Sequence, residues 1–167
     1  VFYVIFFVFQ FLYTMVPLFS VKGKRSINEC ETEDGLSILI PAYNEEAIIK
    51  NCILAILNVD YNNFETIIIN DGSTDDTMKL LTSILDLKKI KRKKAGHLLH
   101  KSIRGIYQSV LYPSILVIDK ENGGKADALN VGLEFAKNEI VITLDADSQL
   151  DVNSLKYVNS AFKDENV

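Results

Sequence analysis

The chain has 167 residues, 48% of them apolar, with 18 basic and 22 acidic side chains and a net charge of −4. That is room for one domain with a sizeable core, and it excludes several domains of the usual size, roughly 100–200 residues each. The two cysteines, Cys30 and Cys52, have no metal-ligand spacing and read as free thiols.

Residues 1–19 carry no charged side chain; only Tyr3, Gln10, Tyr13 and Thr14 bring polarity. At about 1.5 Å per residue, a helix of this length spans the hydrocarbon core of a bilayer, roughly 30 Å. A cleaved signal peptide would have a shorter apolar region, a basic start and a small-residue cleavage site, and a buried core helix rarely lacks charge over so long a run. The run therefore predicts a transmembrane helix over residues 1–20. A linker over 21–35 and a folded domain over 36–167 follow it. Lys22, Lys24 and Arg25 come directly after the span, which marks that side as cytoplasmic. The membrane is thus an expected partner, with the domain on its cytoplasmic face.

Beyond the linker, short apolar runs alternate with helical patterns. Residues 37–40 read as a buried strand closed by Pro41. Residues 45–57 read as a helix, with Ile48, Ile49, Cys52, Ile53 and Ile56 at three- and four-residue spacing. A second β-branched strand covers 65–69. A helix capped by Ser73 or Thr74 then runs to about Leu87, with acids in its first turn. A third strand covers 115–118, a helix 125–136, a fourth strand 139–144 and a last helix 152–162. Such alternation predicts a mostly parallel sheet flanked by helices.

Residues 88–102 show no clear period. Eight of the 18 basic residues fall between Lys88 and Arg104 with no acid among them. A solvated loop explains such a run, and so does contact with anionic lipid heads. Nucleic acid fits poorly, because aromatic residues do not interleave the run and the remainder is acidic.

In parallel sheets, ligands bind outside the carboxyl ends of the strands, and here a polar stretch follows each predicted strand. Asp145 and Asp147 close the fourth. At i and i+2 of an extended strand end they share one face, and paired carboxylates suit Mg²⁺ or Mn²⁺ together with substrate phosphates. Asp71 precedes Gly72 and Ser73 in a tight turn; it is either a structural acid or an acceptor for the N3–H of a uracil ring. Tyr43 offers that ring an aromatic face. Asn122, Gly123, Gly124 and Lys125 form a glycine-rich entry to a helix, where backbone N–H groups and the helix dipole favour an anion such as a diphosphate. Asp127 faces the same end and can pair with Lys125. The spacing matches neither a P-loop nor the Gly-x-Gly-x-x-Gly fingerprint.

Taken together, four stretches resemble the family 2 glycosyltransferases. They are Ser37-Ile-Leu-Ile-Pro-Ala-Tyr-Asn-Glu-Glu46, Ile69-Asn-Asp-Gly-Ser-Thr-Asp-Asp76, Asn122-Gly-Gly-Lys-Ala-Asp-Ala-Leu-Asn130 and Leu144-Asp-Ala-Asp-Ser148. They occur in the family's order between about Leu36 and Asp151. The resemblance implies a GT-A (Rossmann-like) fold, a UDP-sugar donor, a carbohydrate acceptor and a divalent cation, Mg²⁺ or Mn²⁺. By that match Pro41, Tyr43, Glu45 and Asp71 hold the uridine, Gly124, Lys125 and Asp145 lie near the diphosphate, and Asp147 with Asp145 holds the metal. The wording looks most like the processive synthases of poly-N-acetylglucosamine, chitin oligomers, hyaluronan and cellulose, which points to transfer of N-acetylglucosamine with inversion.

Family members carry a second half, with the general-base acid, an acceptor-binding motif and further spans. This chain has no Trp and begins without Met, so it reads as an N-terminal, truncated piece with no catalytic base of its own. Two other readings stay in view: a membrane-tethered nucleotide-binding module without chemistry, and a nucleotidyltransferase. The latter usually opens with a glycine-rich loop that Pro41-Ala-Tyr-Asn-Glu lacks.

Overall fold

The computed structural model describes residues 3, 5–7, 9–11, 32–94 and 96–163. Most of the predicted span and linker, with Lys22, Lys24, Arg25 and Cys30, lie outside them. The described residues of the opening segment are helical and exposed. Among the described residues, no helix is long and apolar enough to cross a membrane.

The domain is one six-stranded sheet with helices on both faces. In chain order it comprises β1 (Leu36–Ala42), α1 (Ile49–Leu57), β2 (Phe64–Asp71), α2 (Thr77–Leu85), β3 (Leu87–Ile90), β4 (Ile103–Ser109), β5 (Ile115–Lys120), α3 (Lys125–Phe135), β6 (Ile140–Thr143) and α4 (Ser154–Phe162). The strands lie in the order β3-β4-β5-β2-β1-β6. The run β5-β2-β1-β6 is parallel, whereas β3 and β4 are antiparallel to their neighbours.

The mostly parallel sheet is as the sequence predicts, but its far side is not. The segment without a clear period contains β3 and leads into β4. Both lie toward the sheet edge, so polar side chains interrupt the apolar alternation, and a register shift between Ile103 and Gly105 breaks it again. The basic segment between these strands is strapped across α3. Buried Glu134 takes hydrogen bonds from the Leu98 backbone N–H (2.5 Å) and pairs with Lys94 and His100 (3.0 Å each). Asn130 donates to the Leu99 carbonyl (2.9 Å), and Arg92 to that of Phe135 (2.6 Å).

Strand parity divides the core into two layers. Ile38 and Ile40 of β1, Ile68 of β2 and Val117 of β5 face α1, α2 and α4. Leu39, Ile67, Ile69, Leu116 and Ile118 face α3. Each of these fully buried aliphatic side chains contributes about 1.5–3 kcal/mol. Gly132 lets α3 approach closely, since a Cβ there would lie 3.0–3.1 Å from Leu39 and Ile69 side chains.

β1 runs through Pro41 to Ala42 instead of stopping before it. Leu39 points its carbonyl at the Leu144 N–H, so Pro41, two residues on, turns its ring nitrogen to the same side. The β6 ladder ends at Leu39, and no donor is missed there. All four helices are shorter than predicted, α1 and α2 the most. α1 begins at Ile49 after a turn, and α2 ends at Leu85 because Asp86 adopts a left-handed φ of 48°. The chain reverses between β1 and β6: β2 and β5 lie to one side of β1, and β6 returns to the other. That reversal opens a crevice at the carboxyl ends of β1 and β6.

Candidate functional site

The loop after β1 is shaped by the loop after β2. Asn44 takes a left-handed φ of 57°, which Asn tolerates better than most residues. Its backbone N–H donates to Ser73 Oγ (3.0 Å), and its Oδ1 accepts from the Thr74 N–H (2.8 Å). The Glu45 N–H donates to Thr77 Oγ1 (2.9 Å) and the Glu46 N–H to Asp75 Oδ2 (3.1 Å), while Glu46 Oε2 accepts from the Asp76 N–H (2.9 Å). These reciprocal bonds fix where Tyr43 and Glu45 stand. They also correct the predicted cap. Ser73 serves the neighbouring loop, the N-cap of α2 is Asp76 without a side-chain capping bond, and the first turn holds no acid.

The β2 loop in turn grips the glycine-rich turn after β5. Gly72 has φ +70°, and a Cβ there would lie 2.6 Å from the Asn122 backbone nitrogen. Asn122 Nδ2 donates to the Asp71 carbonyl (2.9 Å). The buried Asp71 carboxylate accepts the Gly123 N–H on Oδ1 (3.0 Å) and the Gly124 N–H on Oδ2 (2.7 Å). This changes the expected anion cradle: the two glycine amides point inward to Asp71. What remains for an anion is the first turn of α3, whose N–H groups have no partner within the helix, and the Lys125 ammonium.

Behind Asp71 lies Lys120, with a fully buried side chain. Its Nζ is 2.5 Å from Asp71 Oδ1, 2.5 Å from Asp127 Oδ1 and 2.6 Å from the Glu121 carbonyl. Asp127 therefore pairs with Lys120, not with Lys125 as expected. Burial alone would push the Asp127 carboxyl up, but hydrogen bonds from Lys120 and the Lys101 N–H outweigh it and hold it below the ordinary range. Sequence reading passed over Lys120. Parity was the available signal, because Leu116, Ile118 and Lys120 share one face of β5, the face α3 covers.

β6 ends at Thr143, and Asp145 opens a turn in which the Ser148 N–H donates to its carbonyl (2.9 Å). The two acids thus sit in a turn, not on an extended strand end. Lys125 Nζ lies 2.5 Å from Asp145 Oδ1 across the cleft mouth, with both side chains more than half exposed. Glu45 is pushed up, first by burial and then by Asp147, Asp75 and Asp145, so acids from the β1, β2 and β6 loops face one another. Cys52, beneath them on α1, is pushed up to about 11 by burial, then by Asp147 and Glu45.

Pro41, Tyr43, Glu45, Asp71, Gly124, Lys125, Asp145 and Asp147 all line one cleft of about 530 Å³, joined by Ala42, Asn122 and Ala146. Gly123 and Asp127, also singled out from the motifs, do not line it. Tyr43 is half exposed where it lines the cleft. Among the described residues, no group of three or more His, Cys, Asp or Glu could cage a metal ion. Asp145 and Asp147, both lining the cleft, instead fit a hard cation that takes one or two protein oxygens and completes its shell with phosphates and water.

The fold and cleft define a GT-A-like α/β domain with a cleft at the carboxyl edge of a mostly parallel sheet. The chain belongs to glycosyl transferase family 2, whose sequence profile matches residues 37–167. It is 32% identical over 153 residues to the poly-beta-1,6-N-acetyl-D-glucosamine synthase of Staphylococcus aureus, an alignment covering 92% of this chain and 31% of that protein. It therefore spans about a third of that relative's length. Among solved structures, S. aureus TarS 1-349 in complex with UDP-GlcNAc superposes with a TM-score of 0.57 at 24% identity, covering 78% of this chain and 31% of that one. The mannosyltransferase PcManGT from Pyrobaculum calidifontis, in complex with GDP-Man and Mn²⁺, gives 0.64 at 22% identity, covering 90% and 38%. At these identities the two structures speak for the fold.

Proposed function

We propose that the cleft binds a UDP-sugar, UDP-N-acetylglucosamine above others, and that the chain is the donor-binding part of an inverting glycosyltransferase that lengthens a carbohydrate acceptor. The observation that carries this reading is the meeting of residues from all four motifs around one cleft, which brings together an aromatic ring, a lysine and several carboxylates. The S. aureus relative is named for a polymer of N-acetylglucosamine, and the TarS complex holds UDP-GlcNAc. Both support the choice of donor.

In this reading the Tyr43 ring stacks on the uracil, and Asp71 uses the lone pair left on Oδ2 to accept its N3–H. Pro41 and Glu45 bound the uridine from the β1 side. Lys125 and the start of α3 at Gly124 face the diphosphate, where a fixed positive charge stabilises the leaving group as the glycosidic bond breaks. Asp145 and Asp147 hold Mg²⁺ or Mn²⁺; when bound, such a cation neutralises the charge growing on the departing diphosphate. No cleft residue is assigned as the base that deprotonates the acceptor hydroxyl.

Calorimetric titration of UDP into the chain, with and without Mn²⁺, tests the reading. Metal-dependent binding that disappears in Asp147→Ala is expected. Absence of binding in the wild type, or full binding in the variant, overturns it.

The same reading sets the protein at the cytoplasmic face of a membrane. The uncharged run over residues 1–19, the lysines and arginine after it and the basic segment support this. In that segment Lys91, Lys93 and Lys94 are exposed, as are Leu98 and, at 90%, Leu99. Neutralising Lys91, Lys93 and Lys94 is expected to weaken sedimentation with phosphatidylserine vesicles; unchanged sedimentation retires the lipid role of the segment.

A further inference from the structure

A lysine at full burial is costly unless every proton finds a partner. Lys120 meets that condition, with its three donors going to Asp71, Asp127 and the Glu121 carbonyl. Its neighbours on the same face of β5, Leu116 and Ile118, pack beneath α3 as plain aliphatics. Filling space there does not require a charge. What the ammonium does, and an apolar side chain could not, is bring two carboxylates from different elements to one point.

Asp71 lines the cleft, while neither Lys120 nor Asp127 does. Of the oxygen sites on Asp71, Lys120 and the Gly123 N–H occupy Oδ1, and the Gly124 N–H takes one position on Oδ2. The carboxylate is thus held in one rotamer, with its remaining acceptor capacity on Oδ2 at the cleft. Gly124 has a φ of +87° with open space around its α-carbon. The Asp127 side chain packs against Gly123 but nothing packs on Gly124, so at Gly124 the turn and the start of α3 are held by the bonds to Asp71.

We propose that Lys120 is a positioning residue for the nucleotide site: without touching the ligand, it fixes Asp71, and through Asp71 the Gly123-Gly124 turn that precedes Lys125. Asp127 anchors the lysine from the other side and ties in the basic strap by accepting the Lys101 N–H (2.9 Å). This rests on the cleft being the donor site, and the test separates the two claims.

Two readouts are needed, UDP affinity in the presence of Mn²⁺ and the ¹H–¹⁵N resonances of Gly123 and Gly124, which report hydrogen bonds to a carboxylate. In Lys120→Met the Gly123 and Gly124 resonances are expected to move, and UDP affinity to fall about tenfold in protein that remains folded. A purely structural role would lower the melting temperature and leave the affinity of the folded protein alone. Folded Lys120→Met that binds UDP within about twofold of wild type, or whose glycine resonances do not move, overturns the proposal. Where Lys120→Met does not fold, Asp127→Asn decides. A loss of about threefold with shifted glycine resonances supports the proposal, and no change in either overturns it. Should the wild type bind no UDP, the donor-site reading fails, and the glycine resonances still report whether Lys120 sets the turn.

Discussion

Lys125 Nζ lies 2.5 Å from Asp145 Oδ1, joining the first residue of α3 to the turn after β6 across the cleft mouth. In the proposed function both groups serve the ligand, so entry of a diphosphate with its cation would exchange this pair for two new ones: ammonium to phosphate and carboxylate to metal.

Lys125→Ala should therefore lower UDP affinity about tenfold, or ~1.4 kcal/mol. An ion pair this exposed contributes only about 0–1 kcal/mol to folding, so urea denaturation should change little. A large stability loss with unaltered UDP affinity would show that the pair serves the fold and not the ligand.

Gly72→Ala should destabilise the domain by about 1–3 kcal/mol through the positive φ alone, and further because its Cβ meets backbone rather than a yielding side chain. Gly124→Ala shares the positive φ but has nothing within 4 Å of the added carbon. Gly124 instead carries the backbone strain of φ 87° with ψ 169°, a region essentially restricted to glycine, so urea midpoints of both variants should fall below wild type; an unchanged midpoint for Gly72→Ala contradicts the packing of its turn.

Glu134 gives the domain an acid-sensitive fastening. Burial alone would raise its carboxyl, but Lys94, His100 and the Leu98 N–H outweigh that and hold it below its ordinary value of 4.5. A depressed carboxylate contributes stability that is present above the unfolded value and is lost as pH falls through the folded one. Glu134→Gln, which keeps the shape but not the charge, should cost about 1–3 kcal/mol at neutral pH. The gap to wild type should narrow below pH 4.5. A gap that stays constant down to acid unfolding would count against the assignment.

Cys52, pushed up to about 11, stays a thiol at neutral pH and is buried, and the thiolate is the reactive form. In folded protein its modification by iodoacetamide should be slower by orders of magnitude than in urea. Rapid labelling of the folded chain would mean that α1 opens readily beneath the acidic loops.

The four parallel strands were legible because buried strands read as nearly unbroken isoleucine, leucine and valine runs, and their order put four polar stretches on one edge. Strands β3 and β4 were not legible, because toward the sheet edge Lys88, Lys89, Arg104 and Gln108 interrupt the pattern. The membership of the cleft was readable from the motifs, but the wiring was not. Nothing local says that Ser73 reaches over to Asn44 instead of capping its own helix, or that the Gly123 and Gly124 amides turn toward Asp71. Those partners lie between 29 and 53 residues away in the chain. Local propensity carries no information about them.

The bonds that lace residues 44–46 to 73–77 also set how this edge of the molecule opens. Neither loop can leave without breaking the other's partners, so their amides should exchange with solvent as one cooperative unit, with a common opening free energy. In any transplant to another scaffold, the two loops would have to move together.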